Sequence, residues 1–163
     1  MDEILKILEK DARTAPEDIA KMLKKKKSPK EIRDKIKKYE KEGVILKYKT
    51  VLNKDLIQND ETSVRALIEV NVFPQKDVGF DRIAERIYSF PEVLSCYLIS
   101  GAYDLLVIVE GKNIHTVSNF VAEKLASLEN VRETTTHFLL KKYKEDGVAL
   151  KRKEENKRIA ISY

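Results

Sequence analysis

From Val64 onward the spacing of apolar residues switches between two and about 3.6 in the order strand, helix, strand, strand, helix, strand. Val64, Ala66, Ile68, Val70 and Val72 alternate with mostly polar neighbours, the pattern of a half-buried strand. Phe80, Ile83, Ala84 and Ile87 then mark an amphipathic helix. Leu94 to Ser100 and Tyr103 to Glu110 form two more strands joined by a tight turn at Gly101-Ala102. Asn113 caps a second helix carrying Ile114, Val117, Val121, Leu125 and Leu128, and Val131 to Leu140 is the fourth strand. Each helix leaves through a similar segment, Ser89-Phe-Pro-Glu-Val93 or Ser127-Leu-Glu-Asn-Val131, straight into a strand. A duplicated split βαβ unit of this kind is ferredoxin-like. Its helices cover one face of the sheet, so the other face needs a cover, and a second copy of the chain is the economical one.

The first third reads differently. Two helix starts stand in tandem, Thr14-Ala-Pro-Glu17 and Ser28-Pro-Lys-Glu31, each with a hydroxyl residue three places before a glutamate. That spacing lets the two side chains satisfy each other's unpaired backbone N–H groups, a capping box. Pro29 suits the first helical position, where its missing N–H costs nothing, and Gly43 is a left-handed stop. Ile4, Leu5 and Leu8 give a first helix its apolar stripe, Ile19, Ala20 and Leu23 a second, and Ile32, Ile36 and Tyr39 a third. Residues 44–52, GVILKYKTVL less its first residue, read as a wing or bridging strand. Three short helices and a wing make a winged helix-turn-helix, a unit that ordinarily binds DNA.

The whole chain is therefore expected to be α+β. The winged helix-turn-helix occupies 1–52, a polar linker 53–63, the ferredoxin-like domain 64–147, and a charged tail 148–163 in which Ile159 to Tyr163 read as an extra edge strand.

Charge follows the same division. Residues 1–60 hold 17 Lys and Arg against 12 Asp and Glu, whereas 61–163 hold 15 of each. Within 21–49 the ratio is 13 to 4, so a polyanion-binding surface belongs to the first third. No apolar run approaches the roughly 20 residues of a membrane helix, and the N-terminus lacks the layout of a signal peptide. A single cysteine, Cys96, excludes an internal disulfide framework and suits a reducing cytoplasm.

Several stretches together resemble the Lrp/AsnC family of leucine-responsive and asparagine-activator regulators. They are Asp2-Glu-Ile-Leu-Lys-Ile-Leu, Arg13-Thr14, Asp18-Ile-Ala, Glu42-Gly-Val-Ile45, and Val93 through Ser100-Gly-Ala-Tyr-Asp104. The Gly-x-Tyr-Asp turn after Val93-Leu-Ser-Cys-Tyr97 is the most specific of them. The resemblance implies dimers built through the ferredoxin-like domain, often assembled into octamers, with an amino-acid effector held between dimers. One departure is Lys24-Lys-Lys-Lys27, where the family usually has a glycine-containing turn.

For DNA, the third helix turns Lys30, Asp34, Lys37 and Lys41 away from its apolar side, with Arg33 and Lys38 on the flanks. Lys30, Arg33, Lys37 and Lys38 are the expected contacts, Lys24, Lys25, Lys26 and Lys27 the backbone clamps, and Ser28 a cap that also reaches phosphate. The helix has no Asn or Gln to read adenine, which leaves Arg33 as its reader of guanine. For an effector, the Ser100-Gly101-Ala102-Tyr103-Asp104 turn offers backbone N–H groups to a carboxylate and the Asp104 carboxylate to an amine. By resemblance, Thr134 and Thr136 of a neighbouring subunit complete that pocket.

Enzyme chemistry has little to stand on. His115 and His137 lie 22 positions apart with no Cys or paired carboxylates nearby, which is not the spacing of metal ligands. No phosphate-binding glycine loop or nucleophile motif is present, and no cofactor is expected. Siroheme decarboxylases, which share both domains, are the enzymatic alternative, and an effector-independent architectural DNA-binding protein is the other.

Overall fold

A computed structural model of the chain describes residues 2–57, 63–73 and 79–150. Two units, Met1–Leu52 and Asn53–Tyr163, each build their own core.

In the first unit, α1 (Glu3–Lys10), α2 (Pro16–Met22) and α3 (Pro29–Lys41) meet through Ile4, Leu8, Ile19 and Ile32, all buried. Ile7, Ala20, Leu23, Ile36 and Ile45 close around them. α3 starts as its sequence dictates. Ser28 Oγ accepts the Glu31 amide at 3.2 Å while Glu31 Oε2 accepts the Ser28 amide at 2.7 Å, and Pro29 sits at the first helical position. The helix ends at Gly43, whose φ of 71° turns the chain back so that the Val44 and Ile45 amides reach the Tyr39 carbonyl.

Two expectations for this unit are corrected. Thr14 does not cap α2. The N-cap is Ala15, and Thr14 Oγ1 donates to the Asp11 carbonyl at 2.9 Å. Pro16 takes the first helical position, so Glu17 stands at the second, one place short of where a capping box needs it. Residues 44–52 form no strand either: their backbone has no ladder partner among the described residues. Strand propensity fixes an extended segment, but a strand exists only where another backbone pairs with it.

The second unit is a four-stranded antiparallel sheet in the order β2-β3-β1-β4, from β1 (Val64–Val72), β2 (Val93–Leu98), β3 (Leu105–Gly111) and β4 (Val131–Phe138). α4 (Asp81–Tyr88) and α5 (Ile114–Asn119) connect them on one face. Every second residue of β1, from Ala66 to Val72, is buried with Leu105, Val107 and Val109 of β3 and with Ile83, Ile87, Val117, Phe120 and Leu125 from the helices. Asn113 caps α5 by accepting the Thr116 amide at 2.8 Å. Beyond Asn119 the helix widens to π geometry over Phe120–Leu125. The wider turn sets buried Phe120 and Leu125 five residues apart, and Phe120 meets Phe90 edge-on at 5.6 Å.

A short hairpin, β5 (Lys144–Glu145) and β6 (Val148–Ala149), follows across the expected boundary between the ferredoxin-like domain and the tail at 147/148. Its turn residues Asp146 and Gly147 both have positive φ, 46° and 82°, as the mirror-image hairpin turn requires. Arg65 ties this hairpin to the sheet, bonding Glu145 at 2.7 Å and Glu110 at 2.9 Å. The edge strand expected at Ile159 to Tyr163 lies outside the described residues.

Candidate nucleic-acid interface and ligand turn

α2 ends at Met22 and α3 begins at Pro29, so Lys24, Lys25, Lys26 and Lys27 belong to neither helix. They form the turn between them, followed directly by the Ser28 cap. Lys24, Lys25, Lys26, Lys30 and Lys37 are exposed, and none has an ion-pair partner among the described residues. Lys38 lies 3.7 Å from Glu42, one turn on. Arg33 differs. Its Nη2 donates to Glu17 Oε1 on α2 at 2.9 Å, so the expected base reader is already engaged within the chain.

The inner side of α3 is locked by a cluster that sequence reasoning missed. Asp2 caps α1 through the Ile4 amide at 2.9 Å, accepts the Tyr39 hydroxyl at 2.9 Å, and is paired with the Lys35 ammonium. The Lys35 ammonium foremost, helped by the Ile4 amide and Tyr39, pulls the Asp2 carboxyl from 3.8 to about 2. The same contact raises Lys35 above its ordinary value. No local signal marks this cluster, since the partners are 33 and 37 residues apart. It fixes α3 against α1 and leaves the lysine side facing outward.

In the second unit the Ser100–Asp104 turn links β2 to β3. The Ile99 amide bonds the Asp104 carbonyl at 2.8 Å, and the Asp104 amide bonds the Val70 carbonyl at 3.1 Å. Asp104 Oδ2 accepts the Val72 amide at 2.9 Å, which fastens the turn to the end of β1. Ser100, Gly101 and Ala102 are exposed, and Tyr103 is half-buried. Thr134 pairs with Val70 and Thr136 with Ile68, so both threonines lie on the helix-covered side of β4. The turn and Thr134 thus flank the same end of β1 from its two neighbouring strands.

The opposite face of the sheet carries Leu67, Leu106 and Ile108, all half-buried, with Glu69, Thr135 and His137 beside them. His137 Nε2 lies 3.1 Å from Glu69 Oε1. His115 is exposed on α5, and no group of His, Cys, Asp or Glu among the described residues could hold a metal ion. Cys96 is half-buried against the core, and burial raises its thiol pKa.

Residues 65–149 match the family model described as the Lrp/AsnC ligand binding domain. A Bacillus subtilis protein, the HTH-type transcriptional regulator YugG, is 45% identical over 160 residues, covering 98% of this chain and 95% of its own. The chain belongs to the Lrp/AsnC family. LysM, an HTH-type transcriptional regulator of Saccharolobus solfataricus, is 33% identical over 85% of this chain and 90% of its own. A Neisseria meningitidis transcriptional regulator solved with L-methionine superposes with a TM-score of 0.64 at 25% identity, covering 88% of this chain and 89% of that one. As an Lrp/AsnC protein the chain is a DNA-binding transcription regulator rather than an enzyme, which sets the siroheme-decarboxylase alternative aside. None of its described helices is long and apolar enough to cross a membrane.

Proposed function

We propose that the first unit acts as a winged helix-turn-helix, with α3 in the major groove and the turn 24–27 against the phosphate backbone. Its wing, 44–52, has no strand of its own in the single chain. The observation that carries this reading is that Lys24, Lys25, Lys26, Lys30 and Lys37 are exposed without carboxylate partners among the described residues, on and just before a helix pinned from its other side by Asp2. Lys24, Lys25, Lys26, Lys27, Lys30, Lys37 and Lys38 neutralise phosphate, with Ser28 donating beside them. Arg33 reads bases only after leaving Glu17, so salt-sensitive binding with modest sequence preference is expected. Titrating genomic fragments at several salt concentrations tests this. The expected log–log slope falls by about 0.9 for each phosphate contact removed when Lys24 to Lys27 are changed to Gln. A shallow slope, unchanged in that variant, overturns the assignment. The absence of Asn and Gln from α3, together with the Glu17 contact, also favours an architectural reading. A long footprint insensitive to any ligand would support that alternative.

The second unit is read as a ferredoxin-like domain that joins two copies through the face bearing Leu67, Leu106 and Ile108, with octamers as the larger assembly. Light scattering across a concentration series tests it, and a monomer at micromolar concentration overturns it. An amino-acid effector is assigned to the turn Ser100, Gly101, Ala102, Tyr103 and Asp104, with Thr134 and Thr136 of a neighbouring subunit. The family match over 65–149 and the methionine-bound Neisseria relative support this reading. With Asp104 Oδ2 already used by Val72, its Oδ1 is the oxygen left for the ligand amine. A thermal-shift screen with the twenty amino acids tests the site, and no shift with any of them counts against it.

A further inference from the structure

Asp34 sits in the middle of the outward side of α3. With about 3.6 residues per turn it falls among Lys30, Lys37 and Lys41, opposite buried Ile32 and half-buried Ile36 and Tyr39. It is exposed and has no hydrogen bond or ion pair among the described residues. Every other carboxylate between Pro16 and Gly43 is engaged. Glu17 holds Arg33, and Asp18 holds Lys21 at 2.8 Å. Glu31 closes the Ser28 box, Glu40 accepts the Tyr48 hydroxyl at 2.8 Å, and Glu42 faces Lys38. Lys30 and Lys38 stand one turn away on either side of Asp34, the spacing at which helical ion pairs form, yet neither closes on it.

A free carboxylate in the centre of a basic face acts in opposite ways on two parts of a DNA duplex. Against a phosphate it repels, and it offsets part of what the lysines beside it contribute. Against a base edge it only accepts hydrogen bonds, so it fits where an amine stands without a neighbouring acceptor. Cytosine N4 is that group in the major groove, whereas guanine and thymine present acceptors and adenine sets N7 beside its amine. An aspartate side chain is short and meets a base edge only from the middle of the face, which is where Asp34 stands. Arg33 lies on the flank and is held by Glu17.

We propose that Asp34 is a specificity-determining residue, which accepts the N4 amine of a cytosine in the major groove and weakens binding wherever that cytosine is absent. The inference rests on the reading of α3 as the helix in the groove. It gives discrimination to a side chain that needs no rearrangement, whereas Arg33 must first leave Glu17.

The test selects duplexes with a randomised centre using the full-length parent, Asp34→Ala and Asp34→Asn, then measures the selected duplexes by fluorescence anisotropy. The parent is expected to enrich a cytosine at a fixed position. Its binding is expected to weaken about fivefold or more when that cytosine is replaced by thymine or by N4-methylcytosine, whose methyl group displaces the major-groove hydrogen while the base pair remains. Asp34→Ala is expected to lose the preference and to bind unselected duplexes about two- to fivefold more tightly at low salt. Asp34→Asn is expected to move the preference to adenine, which Asn reads through N6 and N7. Because Asp34 has no partner among the described residues, both variants are expected to melt with the parent, which separates binding from folding. The variant with Lys24 to Lys27 changed to Gln is run alongside. If it binds like the parent with an unchanged salt slope, the reading of this face as the DNA interface fails, and Asp34 with it. If it binds more weakly, three results overturn the Asp34 assignment alone. They are a parent that enriches no cytosine, an alanine variant that enriches the same one, and equal binding of N4-methylcytosine.

Discussion

Arg33 on α3 and Glu17 on α2 are joined by a 2.9 Å bond, which places the side chain proposed to read bases under the hold of its neighbour. Both side chains are 53% exposed, so the pair adds little to stability. In the proposed docking its effect falls on binding, because DNA then competes with Glu17 for the guanidinium. Glu17→Gln is expected to tighten DNA binding by about two- to fivefold at low salt with a melting temperature almost unchanged, since an exposed pair is worth at most about 1 kcal/mol. Fluorescence anisotropy with a labelled duplex checks it, with Arg33→Gln as the weakened counterpart. Weaker binding by Glu17→Gln would mean that Glu17 presents Arg33 rather than restrains it.

The capping box at Ser28 fixes where α3 begins and hence where its lysines point. Ser28→Ala is expected to cost about 1 kcal/mol of stability, seen as a lower denaturation midpoint of the first unit. Thr14→Ala is the contrast: its hydroxyl bonds only the Asp11 carbonyl at an exposed position, and the change is expected to be close to neutral.

Acid should loosen the first unit through Asp2. Its carboxyl titrates at about 2 when folded against an ordinary 3.8, so the folded state binds the proton less readily. The stabilisation is therefore fully present above pH 4 and is lost as the pH falls from about 4 to 2. Asp2→Asn keeps an oxygen for the Ile4 amide but gives up the Lys35 ion pair. Its stability is expected to be lower by about 1 kcal/mol at neutral pH and to depend less on pH below 4. Denaturant titrations monitored by circular dichroism at pH 7, 4 and 2.5 would show whether the two proteins converge in acid.

Asp104 is expected to separate fold from ligand response. Asp104→Ala leaves the Val72 amide without its acceptor, a loss of about 1 to 3 kcal/mol. Asp104→Asn retains an acceptor for that amide while removing the negative charge. It is expected to melt near the parent protein and to lose thermal shifts caused by amino acids at this turn. A full ligand shift in Asp104→Asn would remove the carboxylate from the effector site.

What the chain discloses in one dimension tracks the range of the interaction. The Ser28 cap, the Gly43 stop, the Asn113 cap and the alternation of β1 are settled by residues within a few positions of one another, and the structure places them as read. Thr14 failed for an equally local reason, because Pro16 moved the start of α2 by one place. Asp146-Gly147 is an equally local hairpin signal, and it joins Lys144–Glu145 to Val148–Ala149. The strand expected at 44–52 is not formed, because pairing is a property of two backbones, and these residues describe only one. Asp2 with Lys35 and Tyr39, and Arg33 with Glu17, join residues 16 to 37 positions apart, which no periodicity encodes. The basic side of α3 was legible, but the restraint placed on it was not.

From Glu133 to Phe138, past the bulge that sets Val131 opposite Val72, β4 alternates at every residue and its two faces can be edited independently. Thr134 and Thr136 look toward the helices, while Thr135 and His137 look toward the open face where a second copy would stack. From Glu133 onward, even-numbered substitutions address whatever enters from the helix side, and odd-numbered ones address whatever presses on the open face of the sheet. One strand thus offers separate handles on the proposed ligand response and the proposed assembly, interleaved one position apart past its bulge.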